Sequence, residues 1–154
     1  MSVPRRTNAD FKSTIPFTMH RVTALAVASA TVEFAPYGIN IQSARVLVVV
    51  LQNPDIRIGE IGEITCIEYS TLSHMISRLE RDGILKRRRD PADARAVGIR
   101  LTAAGRRVAT HIYRIVAEHQ RSMLAGLSSA DVAVLRRVLD RMQANTEVML
   151  ANVN

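Results

Sequence analysis

The stretch from Ser70 to Leu101, STLSHMISRLERDGILKRRRDPADARAVGIRL, decides the fold of this chain. Its first part places four apolar residues at the spacing of one helix face, and these are Leu72, Met75, Ile76 and Leu79. The polar residues of the same segment fall largely on the other face, and these are Ser70, Ser73, His74, Ser77, Arg78 and Arg81. Asp82 and Gly83 are typical of a helix end. We therefore predict an amphipathic helix that ends at this pair.

A basic hairpin follows the helix. Residues 84–89, ILKRRR, read as a strand, residues 90–96 as a loop, and residues 97–101, VGIRL, as a second strand with apolar residues at alternate positions. Helix, strand, basic turn and strand in this order indicate a winged helix, with its core over residues 41–101 and its wing over residues 84–101. The polar helix face carries hydroxyl, imidazole and guanidinium groups, which can bind base edges or phosphates in a DNA major groove.

Length and composition limit the classes of protein to consider. A chain of 154 residues has the length of one domain, which we assign to residues 1–154. The hydrophobic content of 47% argues against disorder, and no apolar run approaches the ~18 residues that cross a bilayer. We expect no secretory signal, no membrane partner and a cytoplasmic location. The single cysteine, Cys66, excludes an intramolecular disulfide and a multi-cysteine zinc site.

The positive charge is concentrated in the same stretch. The whole chain has a net charge of +7, and the segment from Ser70 to Arg100 contains eight Lys or Arg and four Asp or Glu. More than half of the excess therefore lies on about one fifth of the chain, as expected of a nucleic-acid-binding element. Basic hairpins also serve solubility alone, so the adjoining polar helix face is what favours nucleic-acid binding.

The chain begins with an arm and a helix. Residues 1–12 are polar and basic without periodicity, which predicts a flexible arm. Ser13 or Thr14 can cap a helix that we place at residues 13–36. Apolar residues keep helical spacing along it, and these are Val22, Leu25, Ala26 and Val32.

Two further helices precede the stretch from Ser70 to Leu101. Asn40 caps a helix over residues 41–52 that is apolar nearly all round, so we expect it at the centre of the core. Residues 58–65 form the first helix of a helix-turn-helix, and residues 66–69 turn into the next. The apolar residues expected to pack inward from this helix are Ile58, Ile61 and Ile64.

Two long helices follow the wing. Thr102 caps the first, and Ser128 with Asp131 forms a capping box at the start of the second. Their apolar stripes, with that of the first helix of the chain, exceed what the winged helix can cover. We therefore predict a homodimer, with residues 13–36 and 103–151 as dimerisation helices.

Several short motifs occur in a fixed order between Ile58 and Gly105. They are Ile61-Gly62-Glu63, Ser70-Thr71-Leu72-Ser73, Arg78-Leu79-Glu80-Arg81-Asp82-Gly83-Ile84-Leu85-Lys86-Arg87, Asp90, Asp93-Ala94-Arg95 and Leu101-Thr102-Ala103-Ala104-Gly105. In this order the chain resembles the multiple antibiotic resistance regulator (MarR) family of winged-helix transcription factors. Gly62 departs from the resemblance because the family usually has Ala there, and Ala94 departs because Gly, Glu or Arg is common there.

The resemblance implies a homodimeric transcriptional regulator, a repressor in our reading, that binds a near-palindromic double-stranded DNA operator. It also implies that Asp93 holds the hairpin tip and orients Arg95 toward a minor groove. Because alternate residues of a strand face opposite sides of the sheet, one of Arg87, Arg88 and Arg89 can face its own protein. The other candidate DNA contacts are Ser70, Thr71, Ser73, His74, Ser77, Arg78, Arg87, Arg88 and Arg89.

The resemblance further implies a small-molecule effector, an aromatic acid, a thioester or a related metabolite. It would bind between the dimerisation helices and the winged helix, where an arginine near an aromatic ring can receive an organic anion. The alternative is that these aromatic residues belong to the core and that the arginines are solvated. The candidate effector-binding residues are His20, Arg21, Phe34, Tyr37, Arg45, His111, Tyr113 and Arg114.

Cysteine and histidine raise two other possible mechanisms of regulation, thiol oxidation and metal binding. Some proteins of the family use one reactive thiol, but Cys66 lies between Ile64 and Ile67 in a turn that we expect to be packed, which favours a buried, inert thiol. The four histidines show no close pair at helical ligand spacing, so we expect no metal and no cofactor.

The sequence shows no Gly-rich phosphate loop, nucleophile elbow or paired-carboxylate site, so we expect no enzyme. Four functions stay open at this point. They are an effector-released repressor, an effector-independent architectural DNA-binding protein, a redox-sensing regulator that uses Cys66, and an adaptor whose winged helix binds protein.

Overall fold

The computed structural model of the chain describes residues 11–89 and 97–153. Within these residues the fold is mainly helical with one small antiparallel sheet, which confirms the predicted mainly α winged helix-turn-helix with a β-wing. The elements are α1 (Ile15–Phe34), α2 (Ile41–Gln52), β1 (Ile56–Arg57), α3 (Ile58–Thr65), α4 (Tyr69–Arg81), β2 (Leu85–Arg89), β3 (Val97–Leu101), α5 (Ala103–Met123) and α6 (Ser129–Ala151).

The contacts divide the chain into two compact units, Met1–Ala117 and Glu118–Asn154. The second unit contains the end of α5 and all of α6. The assignment of one domain to residues 1–154 stays a prediction. Of the predicted flexible arm, residues 1–10 lie outside the described residues, whereas Phe11 and Lys12 belong to a short 3₁₀ helix before α1.

Local sequence sets the ends of the first two helices. Thr14 is the N-cap residue of α1, and a proline follows in the first turn. Asn40 caps α2, because its Oδ1 accepts a hydrogen bond from the backbone N–H of Ser43 at 2.8 Å. In the described part of the chain no single helix has the length and hydropathy to cross a bilayer; Ile15–Tyr37 and Ile41–Gln52 reach them only together, with a bend of 78° between them.

The core forms around α2, as its apolar sequence predicts. α2 buries Val46, Leu47 and Val50 almost completely, and the apolar face of α4 packs into the same cluster. α1 reaches this core through Ala30 and Phe34 near its C-terminal end. The apolar residues of α1 that lie outside the core and are exposed include Ile15, Met19, Val22, Leu25 and Val32.

The buried face of α3 differs from the predicted one. Ile61 and Thr65 are buried and Ile58 is half-buried, but Ile64 is 58% exposed. One residue along a helix is about 100° around its axis, so a buried face that contains Thr65 turns Ile64 away. The prediction that Ile64 packs inward is therefore wrong.

The sheet has a strand that the sequence analysis did not predict. Its order is β1-β3-β2, with Ile56 opposite Ile99 and Leu85 opposite Leu101. β1 has only two residues, too short for an alternating pattern to be recognised. Its pairing places the turn that precedes α3 beside the wing.

The wing is joined to α5 by close backbone packing. The Thr102 hydroxyl donates to the carbonyl oxygen of Gly83 at 2.6 Å, and it accepts from the backbone N–H of Gly105 at 3.0 Å. A Cβ atom on Gly105 would lie 1.9 Å from the carbonyl oxygen of Ile84, so the position requires glycine. The predicted cap at Thr102 is confirmed, as is the Ser128–Asp131 capping box of α6.

Candidate nucleic-acid interface

The site is organised by α4, whose two faces have opposite environments. Leu72, Met75, Ile76 and Leu79 are buried, as the helical spacing predicts. On the other face Ser70, Thr71, His74 and Arg81 are exposed, whereas Ser73 and Ser77 are half-buried. A folded chain thus presents hydroxyl, imidazole and guanidinium groups together on one helix surface.

Glu68 fixes the N-terminus of α4. Its Oε2 accepts hydrogen bonds from the backbone N–H groups of Ser70 at 2.9 Å and Thr71 at 3.1 Å, and from the Ser70 hydroxyl. These bonds, above all that of the Ser70 hydroxyl, lower the pKa of the Glu68 carboxyl. The sequence analysis missed this cap, although an acidic residue immediately before an amphipathic segment is a recognisable signal.

Arg78 is directed toward its own protein. Its Nη2 donates a hydrogen bond at 3.0 Å to the hydroxyl oxygen of Ser43, a fully buried residue of α2. Arg78 was predicted as a DNA contact from its place on the polar face. In the folded chain its guanidinium holds α4 to α2.

Arg87 crosses from the wing to α4. Its guanidinium lies 3.5 Å from the Glu80 carboxylate, and its Nη2 donates to the Ser77 hydroxyl at 3.3 Å. Arg87 is exposed, and its contacts with Ser77 and Glu80 place its cation beside the polar face of α4. The arrangement joins two predicted contact residues, Ser77 and Arg87, at one place.

Arg88 faces the other side of the sheet, as strand alternation predicts. Its Nη1 lies 3.5 Å from Oδ2 of Asp55, which also accepts from Arg100. Arg89 is the last residue of β2. The two predicted wing-tip residues, Asp93 and Arg95, lie outside the described residues.

Asp55 received no role in the sequence analysis, yet the structure places it against two arginines of the wing, Arg88 and Arg100. Its Oδ1 accepts from Nε of Arg100 at 2.8 Å, and its Oδ2 accepts from the Nη2 of the same arginine. This hydrogen bonding lowers the pKa of Asp55 and raises that of Arg100, with Arg88 adding to the effect on Asp55. The two partners are 45 residues apart in sequence, so no local motif could connect them.

A cavity of about 330 Å³ lies between α1, α2, α3 and α5. Two predicted effector residues, Phe34 and Arg45, line it together with Ile41, Ala44, Val48, Val49, Ile64, Thr65 and Val116. Tyr37 and His111 pair with each other instead, the Tyr37 hydroxyl 2.6 Å from His111 Nε2. The remaining candidates, His20, Arg21, Tyr113 and Arg114, are not among the described lining residues.

Cys66 is exposed, so the predicted burial is wrong. It follows the last residue of α3 in a left-handed conformation, with φ of 54°, between the buried residues Thr65 and Ile67. The left-handed turn directs its side chain outward. Over the described residues, no group of three or more His, Cys, Asp or Glu is arranged to hold a metal ion.

Comparison with known proteins identifies relatives of this chain. The MarR family model matches residues 39–97. Over 89 residues the chain is 28% identical to the uncharacterized HTH-type transcriptional regulator YsmB of Bacillus subtilis. This alignment covers 58% of this chain and 61% of that protein. Over 105 residues it is 27% identical to the HTH-type transcriptional repressor IacR of Pseudomonas putida, covering 68% and 63%. The chain thus spans about three fifths of the length of these curated relatives.

Solved structures show the same fold over most of the chain. The transcriptional regulator SlyA superposes with a TM-score of 0.83 and 25% identity, covering 92% of this chain and all of that one. A MarR family protein from Listeria monocytogenes, solved with 26mer DNA, superposes with a TM-score of 0.79 over 86% of this chain and 88% of that one; at 20% identity it shows the fold alone. Family model, relatives and fold agree that this chain is similar to proteins of the MarR family, and its fold is a winged helix.

Proposed function

We propose that the protein is a DNA-binding transcriptional regulator, acting as a repressor from the cytoplasm. One observation carries the proposal: α4 buries its apolar face and exposes Ser70, Thr71 and His74, with the basic strand β2 beside it. A helix of this kind fits the DNA major groove, and arginines beside it contact phosphates. That a protein of this fold has been solved with DNA supports the same use here.

We infer that the protein acts as a homodimer. α1 and α6 each expose apolar side chains along their own length, including Val22, Leu25 and Val32 on α1 and Leu135, Val138 and Leu139 on α6. Apolar surface of this extent is covered in stable proteins, and a second copy is the simplest cover. Two symmetry-related α4 helices would enter successive major grooves about 34 Å apart, so the operator is nearly palindromic.

We further propose that a small aromatic acid or its thioester releases the operator. The cavity beside Phe34 and Arg45 supports this because an aromatic wall and a guanidinium suit an aromatic anion. An occupant would change the spacing of the two winged lobes. A thermal-shift screen of aromatic carboxylates and coenzyme A thioesters tests the site, and Arg45→Ala removes the response while Arg114→Ala preserves it.

The test of DNA binding uses a duplex that the full-length chain selects from a random-sequence pool. Arg87→Ala should weaken binding about tenfold and reduce the salt slope by about 1, because it removes one phosphate contact. The matched control is Arg121→Ala, which also removes an exposed arginine paired with a glutamate, here Glu118. If no duplex is selected, or if both variants bind alike, the proposal fails. Binding that no metabolite releases would favour the architectural alternative.

A further inference from the structure

Asp55 joins the two strands of the wing through their arginines. It lies in the turn between α2 and β1, and its carboxylate accepts two hydrogen bonds from Arg100 of β3. The guanidinium of Arg88, from β2, is 3.5 Å from the same carboxylate. One residue outside the hairpin therefore holds a side chain from each of its described strands.

The backbone of Asp55 contacts the wing as well. A Cβ atom on Gly98 of β3 would lie 2.7 Å from the Asp55 carbonyl oxygen, so the strand approaches this turn closely. The next residue, Ile56, pairs with Ile99 in the sheet. Asp55 itself adopts a left-handed conformation with φ of 64°, which Asp and Asn tolerate better than most residues.

The charges explain why the carboxylate matters at this place. Lys86 and Arg100 are directly opposite in the β2–β3 ladder, and Arg88 lies on the same face two residues from Lys86. Like charges at such positions repel. Exposed ion pairs usually contribute little to stability, but a two-pronged arginine–carboxylate pair within a charge network is the exception.

We propose that Asp55 is a positioning residue for DNA binding: it holds the strands of the wing against the core in the orientation that meets DNA. This inference rests on the proposed DNA-binding function. Asp55 acts through Arg88 and Arg100, and it carries a negative charge that would by itself repel DNA. Its removal therefore has opposite consequences for a positioning role and for a purely electrostatic one.

The test compares Asp55→Asn with Glu118→Gln in the full-length chain. Asn tolerates the left-handed backbone, and both changes remove one carboxylate that pairs with arginine. Positioning predicts about fivefold weaker binding of the selected duplex by Asp55→Asn and no weakening by Glu118→Gln. Arg100→Gln should weaken binding similarly, and the double variant Asp55→Asn/Arg100→Gln no further, because both changes break the same connection.

Hydrogen exchange on the free protein tests the same role without DNA. Asp55→Asn should speed amide exchange in β2 and β3 about tenfold and leave that of α6 unchanged. Unchanged exchange in the wing, or DNA affinity equal to or above that of the wild type, would overturn the inference. Failure of the wild type to select any duplex would instead overturn the proposed function, while the exchange experiment would still decide whether Asp55 holds the wing.

Discussion

The guanidinium of Arg78 donates a hydrogen bond across 3.0 Å to the hydroxyl oxygen of Ser43, which is completely buried. This bond joins α4, the helix of the candidate interface, to α2 at the centre of the core. The orientation of α4 therefore depends on a polar contact as well as on its apolar face. The two partners are not equivalent, because Arg78 is exposed and Ser43 is not.

This asymmetry predicts that replacing Arg78 by alanine and replacing Ser43 by alanine have unequal effects on stability. Arg78→Ala leaves a buried hydroxyl without this partner and should lower the free energy of unfolding by about 1–3 kcal/mol. Ser43→Ala should lower it by about 1 kcal/mol, because the released guanidinium is hydrated. Urea unfolding measures both. A larger loss for Ser43→Ala than for Arg78→Ala would contradict this account of the bond.

Gly105→Ala should destabilise the protein by about 3 kcal/mol or more, because the added Cβ atom would overlap the carbonyl oxygen of Ile84 at 1.9 Å. Gly59→Ala is the control, since its Cβ atom would meet nothing within 4 Å. It should leave stability unchanged or raise it by up to about 1 kcal/mol. Thermal unfolding of the two variants measures the difference, and equal melting temperatures would refute the packing argument.

Acid should weaken the cap of α4. The pKa of Glu68 is lowered in the folded chain by its bonds from Ser70 and Thr71, so the carboxylate stabilises the fold above its ordinary pKa of 4.5. That contribution decreases as the pH falls below 4.5 and disappears once the pH passes the lower folded pKa. Glu68→Gln should reduce this part of the acid dependence in unfolding experiments at graded pH. Glu63→Gln, on the exposed surface of α3, serves as the control, and the same loss in both variants would contradict the cap.

Arg95→Ala should weaken binding of the selected duplex by about 1–3 kcal/mol while the melting temperature changes little. The reason is the role that the family resemblance implies for this residue, that of reaching a minor groove. A gel shift with the variant measures the change, and circular dichroism checks the fold. Unchanged affinity in a folded variant would remove Arg95 from the interface.

Several parts of the fold follow from local sequence because their physical causes are local. The amphipathic spacing from Leu72 to Leu79 fixes which side of α4 is buried, and the caps at Asn40 and Thr102 set helix starts. A cap is a bond between residues at most a few positions apart, and a helix face repeats every three or four residues. Such signals can be recognised before any tertiary contact is known.

The use of individual polar side chains depended on tertiary structure. Arg78 and Arg87 both belong to the basic stretch, yet one binds Ser43 in the core and the other lies exposed beside Ser77. Asp55 received no role from the sequence, because its arginine partners reach it only once β3 has paired with β1.

The sequence by itself determined the winged helix, the polar face of α4 and the basic character of the wing, since these depend on periodicity and composition over short distances. The tertiary structure alone decided that Cys66 is exposed, that Ile64 faces away from the core, and which arginines are held by the protein's own side chains. A charged side chain binds whichever group the folded chain brings within about 3 Å of it, and that group is often distant in sequence.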